Sequence, residues 1–278
     1  MTSRQWYESV VPGDAVAARD IDTSVPHIAR VYDYWLGGKD NFAADRAAAE
    51  KVIAAVPDIR AGVRAQRAFL GRAVRYLVTE AGIRQFLDIG TGLPAADNTH
   101  EVAQRAAPEC RVVYVDNDPT VLAHARALLV GCPEGATAYL DADLRDTGAI
   151  LRDAARILDF GKPVAVMLLG VLHCVPDGDD PAGIVSRLMA AVAPGSFLVI
   201  AHPASDVNAR QMGEATRDYN QEARDPVTMR SHAEVCRFFD GLDLLEPGVV
   251  QLHRWRADAG AEGTERELAD YGGVGRKP

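Results

Sequence analysis

Arg84-Gln85-Phe86-Leu87-Asp88-Ile89-Gly90-Thr91-Gly92 is the stretch whose reading decides the fold of this chain. Phe86 to Ile89 reads as a short buried strand that runs straight into a glycine turn, with an acid, Asp88, two residues before the first glycine. A side chain at Gly90 or Gly92 would hold a ligand off the backbone, and glycine permits the positive φ that a sharp strand exit needs. Two ligand classes use such a turn. Gly90, Gly92 and Ala95 satisfy the G-x-G-x-x-G/A spacing that seats a pyrophosphate on the following helix. Against a pyrophosphate, Asp88 places negative charge near the turn and Pro94 removes an amide that could have faced a phosphate. A ligand carrying its own ammonium group fits the turn better; a strand-to-turn junction with no ligand is the remaining reading.

Helix and strand patterns alternate downstream of the turn. Thr99 to Ala107 reads as a helix, Arg111 to Val115 as a strand, Pro119 to Val130 as a helix with proline in its first turn, and Thr137 to Leu140 as a strand. A helix over Gly148 to Leu158 leads into the apolar run Val164 to Leu169, followed by a helix from Pro181 to Val192 and a strand from Phe197 to Ala201. Apolar strands joined by helices imply a parallel sheet covered on both faces, with ligands at the carboxyl ends of its strands. The chain then changes character. A helix-rich insert over 206–239 carries Arg210, Arg217, Tyr219, Asn220 and Arg230, a set suited to shaping a pocket for an acidic small molecule or to forming a solvated helical face. Leu242 to Leu245 and Val249 to Trp255, separated by Pro247-Gly248, have the form of an antiparallel hairpin.

Upstream, residues 1–22 form a loosely patterned polar arm, and 23–82 a helical extension preceding the α/β domain of 83–278. Ile28, Val31, Tyr32, Trp35 and Leu36 recur at helical spacing and stop at Gly37-Gly38. Ala43 to Ala55 and Asp58 to Ala81 give two more helices, the last with Val63, Phe69, Leu70, Val74 and Leu77 on one face. The glycine pair, flanked by Tyr34, Lys39, Asp40 and Asn41, suits either a flexible joint closing over a small ligand or a helix stop followed by a capped helix start. With 278 residues the chain can bury a sizeable core, and a net charge of −9 with no dense basic run argues against nucleic acid. Four cysteines lie far apart without a C-x-x-C, which argues against a metal site and a disulfide framework. No run reaches membrane-spanning length and no apolar leader opens the sequence, so the expected location is the cytoplasm.

Acids follow three successive strands. Asp116, at the end of Val112-Val113-Tyr114-Val115, is placed to accept both hydroxyls of a ribose, with Asn117 beside it and Asp118 capping the next helix. Asp143 and Leu144 follow the third strand and Gly170 the fourth. His173 would serve as a general base if its pKa were near neutral, and as a buried structural histidine otherwise. Asn98, His100 and Arg30 could also face a ligand, although capping or pairing is their more ordinary use.

Leu87-Asp88-Ile89-Gly90-Thr91-Gly92 resembles the first motif of class I S-adenosylmethionine-dependent methyltransferases. Tyr32-Asp33-Tyr34 through Leu36-Gly37-Gly38-Lys39-Asp40-Asn41-Phe42, Thr91 to Pro94, Asp116-Asn117-Asp118-Pro119, Arg237 to Gly241 and Tyr271 to Lys277 are similar to the hallmarks of one bacterial family of such methyltransferases, long catalogued as a domain of unknown function. The resemblance runs from about Asp22 to Lys277. It implies a Rossmann-like α/β fold with a seven-stranded, mostly parallel sheet of order 3-2-1-4-5-7-6, an N-terminal helical lid, and S-adenosylmethionine as cofactor. The residues carried over to that cofactor are Asp88, Gly90, Thr91, Gly92, Asp116, Asn117, Asp143, Leu144 and Gly170, with Tyr34, Lys39 and Asn41 from the lid. In such sites the acid after the third strand accepts from the adenine amino group. The resemblance implies no particular acceptor; the expected one is a small molecule. A non-catalytic S-adenosylmethionine-binding module and an NAD-linked oxidoreductase are the rival readings.

Overall fold

The computed structural model describes residues 21–128, 132–257 and 267–278. All but the last two residues of the expected N-terminal arm, and the end of the helix expected to reach Val130, lie outside the described residues. Three helices come first: α1 (Ile28–Leu36), α2 (Ala43–Ala55) and α3 (Ile59–Thr79). The alternating part follows as β1 (Gln85–Ile89), α4 (Thr99–Ala106), β2 (Arg111–Asp116), α5 (Pro119–Leu128), β3 (Ala136–Asp141), α6 (Thr147–Ala154), β4 (Ala165–Leu169), α7 (Pro181–Ala191) and β5 (Phe197–Pro203). The remainder is α8 (Ala209–Glu222), α9 (His232–Arg237), β6 (Asp243–Leu244), β7 (Val250–Gln251) and β8 (Asp270–Arg276).

The strands form one eight-stranded sheet of order β3-β2-β1-β4-β5-β8-β6, with β7 also on β8. The first five run parallel and β8 is antiparallel to β5, so the expected order is reproduced with one short strand added. Successive side chains point to opposite faces. Leu87, Ile89, Val113 and Leu168 therefore pack into a core with Ile150 of α6 and Ile184 and Leu188 of α7. Phe86, Val112, Met167 and Val199 enter a second core with Phe69, Leu70, Val74 and Leu77 of α3. Every residue of β1 and of β4 is buried, which is why β4 reads as an unbroken apolar run, while in β1 the buried Gln85 and Asp88 are hydrogen-bonded.

One expectation is corrected. Leu242 to Leu245 and Val249 to Trp255 are not a hairpin: β6 and β7 pair with β8 at Leu244↔Gly275 and Val250↔Gly272, one after the other along the same edge. They form a single edge strand interrupted at Pro247, which has no amide to donate to a ladder. The helix-rich insert holds two helices, α8 and α9. Its middle, Asn220 to Val227, is closed by the Asn220 amide, which donates to and accepts from the Val227 backbone at 2.9 and 2.8 Å.

A third, smaller core holds Val31 and Trp35 of α1, Ala48 and Ala49 of α2, Val63 of α3, and Tyr219 of α8. It sits over the carboxyl ends of the parallel strands because α3 belongs to two cores, giving its first turns to the helical cluster and its later turns to the sheet. Among the described residues no helix is long and apolar enough to cross a membrane.

Candidate functional site

A continuous cavity of about 280 Å³ lies between the helical cluster and the carboxyl edge of the sheet. One end is built on the glycine turn and lined by Asp88, Gly90, Thr91, Gly92, Asp116, Asn117 and Arg145. The other is walled by Trp35, Val56, Ile59, Val63, Met212, Ala215, Tyr219 and Met229, with His173 and Gly170 between. A large apolar wall with a few placed polar groups is the usual composition of a small-molecule site.

The turn is fixed from several sides. Gly90 has φ 74°, and a Cβ there would lie 2.2 Å from the Val171 side chain. Gly92 has φ 62° and nothing within 4 Å of a Cβ position, so it leaves open space where a side chain would stand. The Gly92 amide donates to Asp116 Oδ2 at 2.8 Å, and the Asp118 amide donates to Asp116 Oδ1 at 3.0 Å. Burial pushes the Asp116 carboxyl up, and these two amides only partly oppose it. Asp88 accepts from the Thr99 hydroxyl at 2.6 Å, and burial raises its pKa to about 6. Arg67 of α3 donates to the carbonyls of Ala96 and Asp97, closing the loop after the turn, and its charge favours an ionised Asp88.

Asp143 receives the Arg145 amide at 2.8 Å, the Arg145 guanidinium at 3.1 Å and the Asn117 amide group at 3.3 Å, while Leu144 is buried in the sheet core. Asp118 caps α5 through Thr120 as expected, at 2.7 Å. Asn98 caps α4 and lines the cavity, and His100 is bonded to the Tyr114 hydroxyl at 2.8 Å. The His173 ring is buried, and burial with the nearby Arg230 charge lowers its pKa to about 4. The near-neutral pKa that a general base would need is therefore not met there.

The polar string between α1 and α2 serves the helix junction. Gly37 is a left-handed C-cap, and Asn41 donates to Asp33 and to the Gly38 carbonyl at 2.8 and 3.1 Å. The Tyr34 hydroxyl meets Glu50, Lys39 is exposed, and neither these two nor Asn41 lines the cavity. Arg30 turns away from the cavity to Asp45. Of the insert's arginines, Arg210 pairs with Glu214 on the surface. Arg230 is buried behind the loop after β4, donating to the carbonyls of Leu172 and Val175 and to His202 Nε2 at 2.9 Å. The insert reaches the cavity through Asn208, Met212, Thr216 and Tyr219 instead. An arginine pocket for an acidic acceptor is therefore not what α8 and its flanks form.

The sequence profile of the S-adenosyl methyltransferase family matches residues 14–278. The chain belongs to this family. A crystal structure of a DUF574 family protein from Streptomyces avermitilis MA-4680 is 45% identical, with a TM-score of 0.89 over 93% of this chain and 100% of that one. A candidate methyltransferase from Thermobifida fusca YX is 40% identical, with a TM-score of 0.85 over 95% and 99% of the two chains. Among curated proteins none matches. This methyltransferase uses S-adenosylmethionine, and its Rossmann-like sheet is the class I arrangement.

Sequence reading passed over Gln66, Arg67, His27 and Asp270, all of which line the methyltransferase's cavity. For the first two a signal existed: they follow Val63 by three and four residues, so they interrupt the apolar stripe of α3 with polar groups. Gln66 donates to the Leu169 carbonyl at the exit of β4, 3.0 Å away.

His27, which caps α1, places Nδ1 2.9 Å from Asp118 Oδ2 and so ties the helical cluster to the loop after β2. Burial opposes the charge on both residues, yet the shared hydrogen bond raises the His27 pKa above 6.5 and takes Asp118 from 3.8 down to about 2. The histidine's share of stability is full below 6.5 and is lost as pH rises through its raised pKa. The aspartate's share is full above 3.8 and is lost as pH falls towards 2. The pair is thus strongest near pH 5 and stabilises by roughly 2 kcal/mol at most. Thermal melts of His27→Ala against wild type are expected to differ most at pH 5–6 and to narrow in alkaline buffer, where only the α1 cap from Nδ1 is missing. A gap independent of pH would mean that the ion pair is not what holds α1.

Proposed function

We propose that the chain transfers a methyl group from S-adenosylmethionine to a small-molecule acceptor, with the cofactor at the glycine-turn end of the cavity and the acceptor at the apolar end. The observation that carries this reading is the single cavity, in which acid-lined glycine turn and apolar chamber are continuous. The turn fits this cofactor better than a dinucleotide. Asp88, buried, and Asp116, half-buried, put two carboxylates where a pyrophosphate would lie, and Gly92 leaves the backbone open to a close neighbour. When bound, S-adenosylmethionine supplies an electrophilic methyl on a positively charged sulfur.

In this reading Asp116 and Asn117 hold the ribose, and Asp88, Gly90, Thr91 and Gly92 lie along the amino-acid end with Gly170 opposite. Asp143 accepts the adenine amino group in exchange for one of the four bonds it now takes from Arg145 and Asn117, since a carboxylate accepts roughly four. Leu144 contributes its backbone amide. Helices α1 to α3 exclude water from the chamber, and methyl transfer depends on alignment rather than on a strong base, which suits a neutral His173. Tyr34, Lys39 and Asn41 act through the α1–α2 junction. Four unpaired cysteines suit work in the cytoplasm.

Titration calorimetry with S-adenosylmethionine, S-adenosylhomocysteine and NAD tests the reading. Micromolar binding of the first two and none of NAD is expected. Binding of NAD alone, or of nothing, would overturn it. Tight binding without methyl transfer to any acceptor would favour the non-catalytic module.

A further inference from the structure

Among the described residues, Asp270 at the apolar end of the cavity is an acid without a partner. Asp270 opens β8 opposite Pro203, which places it at the carboxyl edge of the parallel strands, and its side chain lines the cavity. Among the described residues no group donates a hydrogen bond to its carboxylate and no cation pairs with it. Burial alone raises its pKa, to about 7. The cavity's two arginines are engaged elsewhere, Arg67 on the loop after the glycine turn and Arg145 on Asp143 and Asp179. The Tyr32 hydroxyl, nearby, donates to the Val63 carbonyl at 3.3 Å. Two further acids line the cavity, Asp58 before α3 and Glu267 before β8.

A second feature falls at the same point. Gly62 stands inside α3, where glycine is less favourable to a helix than alanine. A Cβ at Gly62 would lie 2.6 Å from Asp270 Oδ2. The glycine clears room for the carboxylate, and the first turn of α3, with its partial positive charge, favours the ionised form without donating to it. An unpaired, half-buried acid and a helix-interior glycine are each unfavourable to the isolated fold. A cation arriving from the cavity would relieve the first and make use of the space left by the second.

We propose that Asp270 is the recognition residue for the acceptor, and that the acceptor is an apolar molecule bearing a protonated amine, its ammonium against Asp270 and its body against Met212, Tyr219 and Met229. This rests on the methyltransferase reading only in calling the ligand an acceptor; the binding itself needs no cofactor. The ammonium is the group held, whichever atom of the molecule receives the methyl.

The test uses 2-phenylethylamine and its uncharged counterpart 2-phenylethanol as probes, titrated by ligand-observed NMR at pH 8 into the full chain. Wild type is expected to bind the amine at least tenfold more tightly than the alcohol. In Asp270→Asn that preference should vanish, with the alcohol changed less than twofold and S-adenosylmethionine affinity unchanged. Gly62→Ala, which pushes a methyl group against the carboxylate, should weaken the amine selectively and serves if Asp270→Asn does not fold. Equal binding of amine and alcohol by wild type, or a preference that survives Asp270→Asn, would overturn the proposal. If S-adenosylmethionine fails to bind wild type, the cofactor reading fails separately, whatever the amines do.

Discussion

Asp116→Ala is expected to weaken S-adenosylmethionine binding by a hundredfold or more while leaving the chain folded. The carboxylate is held on both oxygens, by the Gly92 amide at 2.8 Å and the Asp118 amide at 3.0 Å, so its position is set before a ligand arrives. Hydrogen bonds to a charged group contribute about 1.5–3 kcal/mol each, and two of them to a ribose amount to roughly 3 kcal/mol or more, about two orders of magnitude in Kd. The alanine variant also frees the Gly92 amide, so the turn loses its anchor together with its acid. Removing a half-buried carboxylate relieves its desolvation, which offsets part of the penalty of two orphaned amides and keeps the melting temperature close to wild type. Asp116→Asn retains an acceptor oxygen for one amide and is expected to lose about tenfold. Calorimetric titration of the three proteins gives the order. An alanine variant binding within threefold of wild type would show that Asp116 positions the turn without touching the cofactor.

The β1–β5 part of the fold was legible because its signals are local. Four-to-six-residue apolar runs bounded by glycine and proline can only be buried strands at this spacing, and acids at their carboxyl ends fall on one edge once the strands are parallel. Strand β8 was illegible for the opposite reason. Asp270-Tyr271-Gly272-Gly273-Val274-Gly275-Arg276 has three glycines and no alternation, yet it is central, because Leu252 and Phe239 fill the volume that side chains at Gly272 and Gly275 would need. Missing β8 turned β6 and β7 into an apparent hairpin and left Asp270 unread. The apolar end of the cavity is hidden in another way. Trp35, Val63 and Tyr219 repeat at helical spacing whether they face a core or a chamber, and they do both. The string from Tyr34 to Asn41 is conspicuous as a family signature, but its hydrogen bonds run to Glu50, Asp33 and Gly38, so a motif read for ligand contact sits where two helices are joined.

Asp45→Ala should be the most destabilising single change in the helical cluster, at about 3–5 kcal/mol. Arg30 and Asp45 are 4% and 0% exposed, and the Arg30 Nε donates to Asp45 Oδ2 at 2.9 Å. The same carboxylate accepts the amides of His27 and Phe42 at 2.9 and 2.8 Å, so one side chain closes the start of α1 and the start of α2 together. Arg30 in turn donates to the carbonyls of Asp22 and Val25. Truncating Asp45 leaves a buried guanidinium without its counter-charge and two amides without acceptors, the circumstance in which a broken buried pair is most costly. Replacing both partners by apolar residues, Arg30→Met with Asp45→Leu, removes the uncompensated charge and should recover much of the loss, though not the two amide bonds. In a chain of this size the single variant corresponds to a melting temperature lower by on the order of 10 °C if the whole fold is coupled to the cluster. If it is not, α1 and α2 open locally while the sheet remains, and limited proteolysis will cut between them at temperatures where wild type resists. Either outcome also bears on the cavity, since α1 contributes Tyr32 and Trp35 to its wall. An alanine variant that melts within about 2 °C of wild type and resists protease equally would mean that Arg30 finds water when Asp45 is gone, and that the cluster is held by its apolar contacts alone.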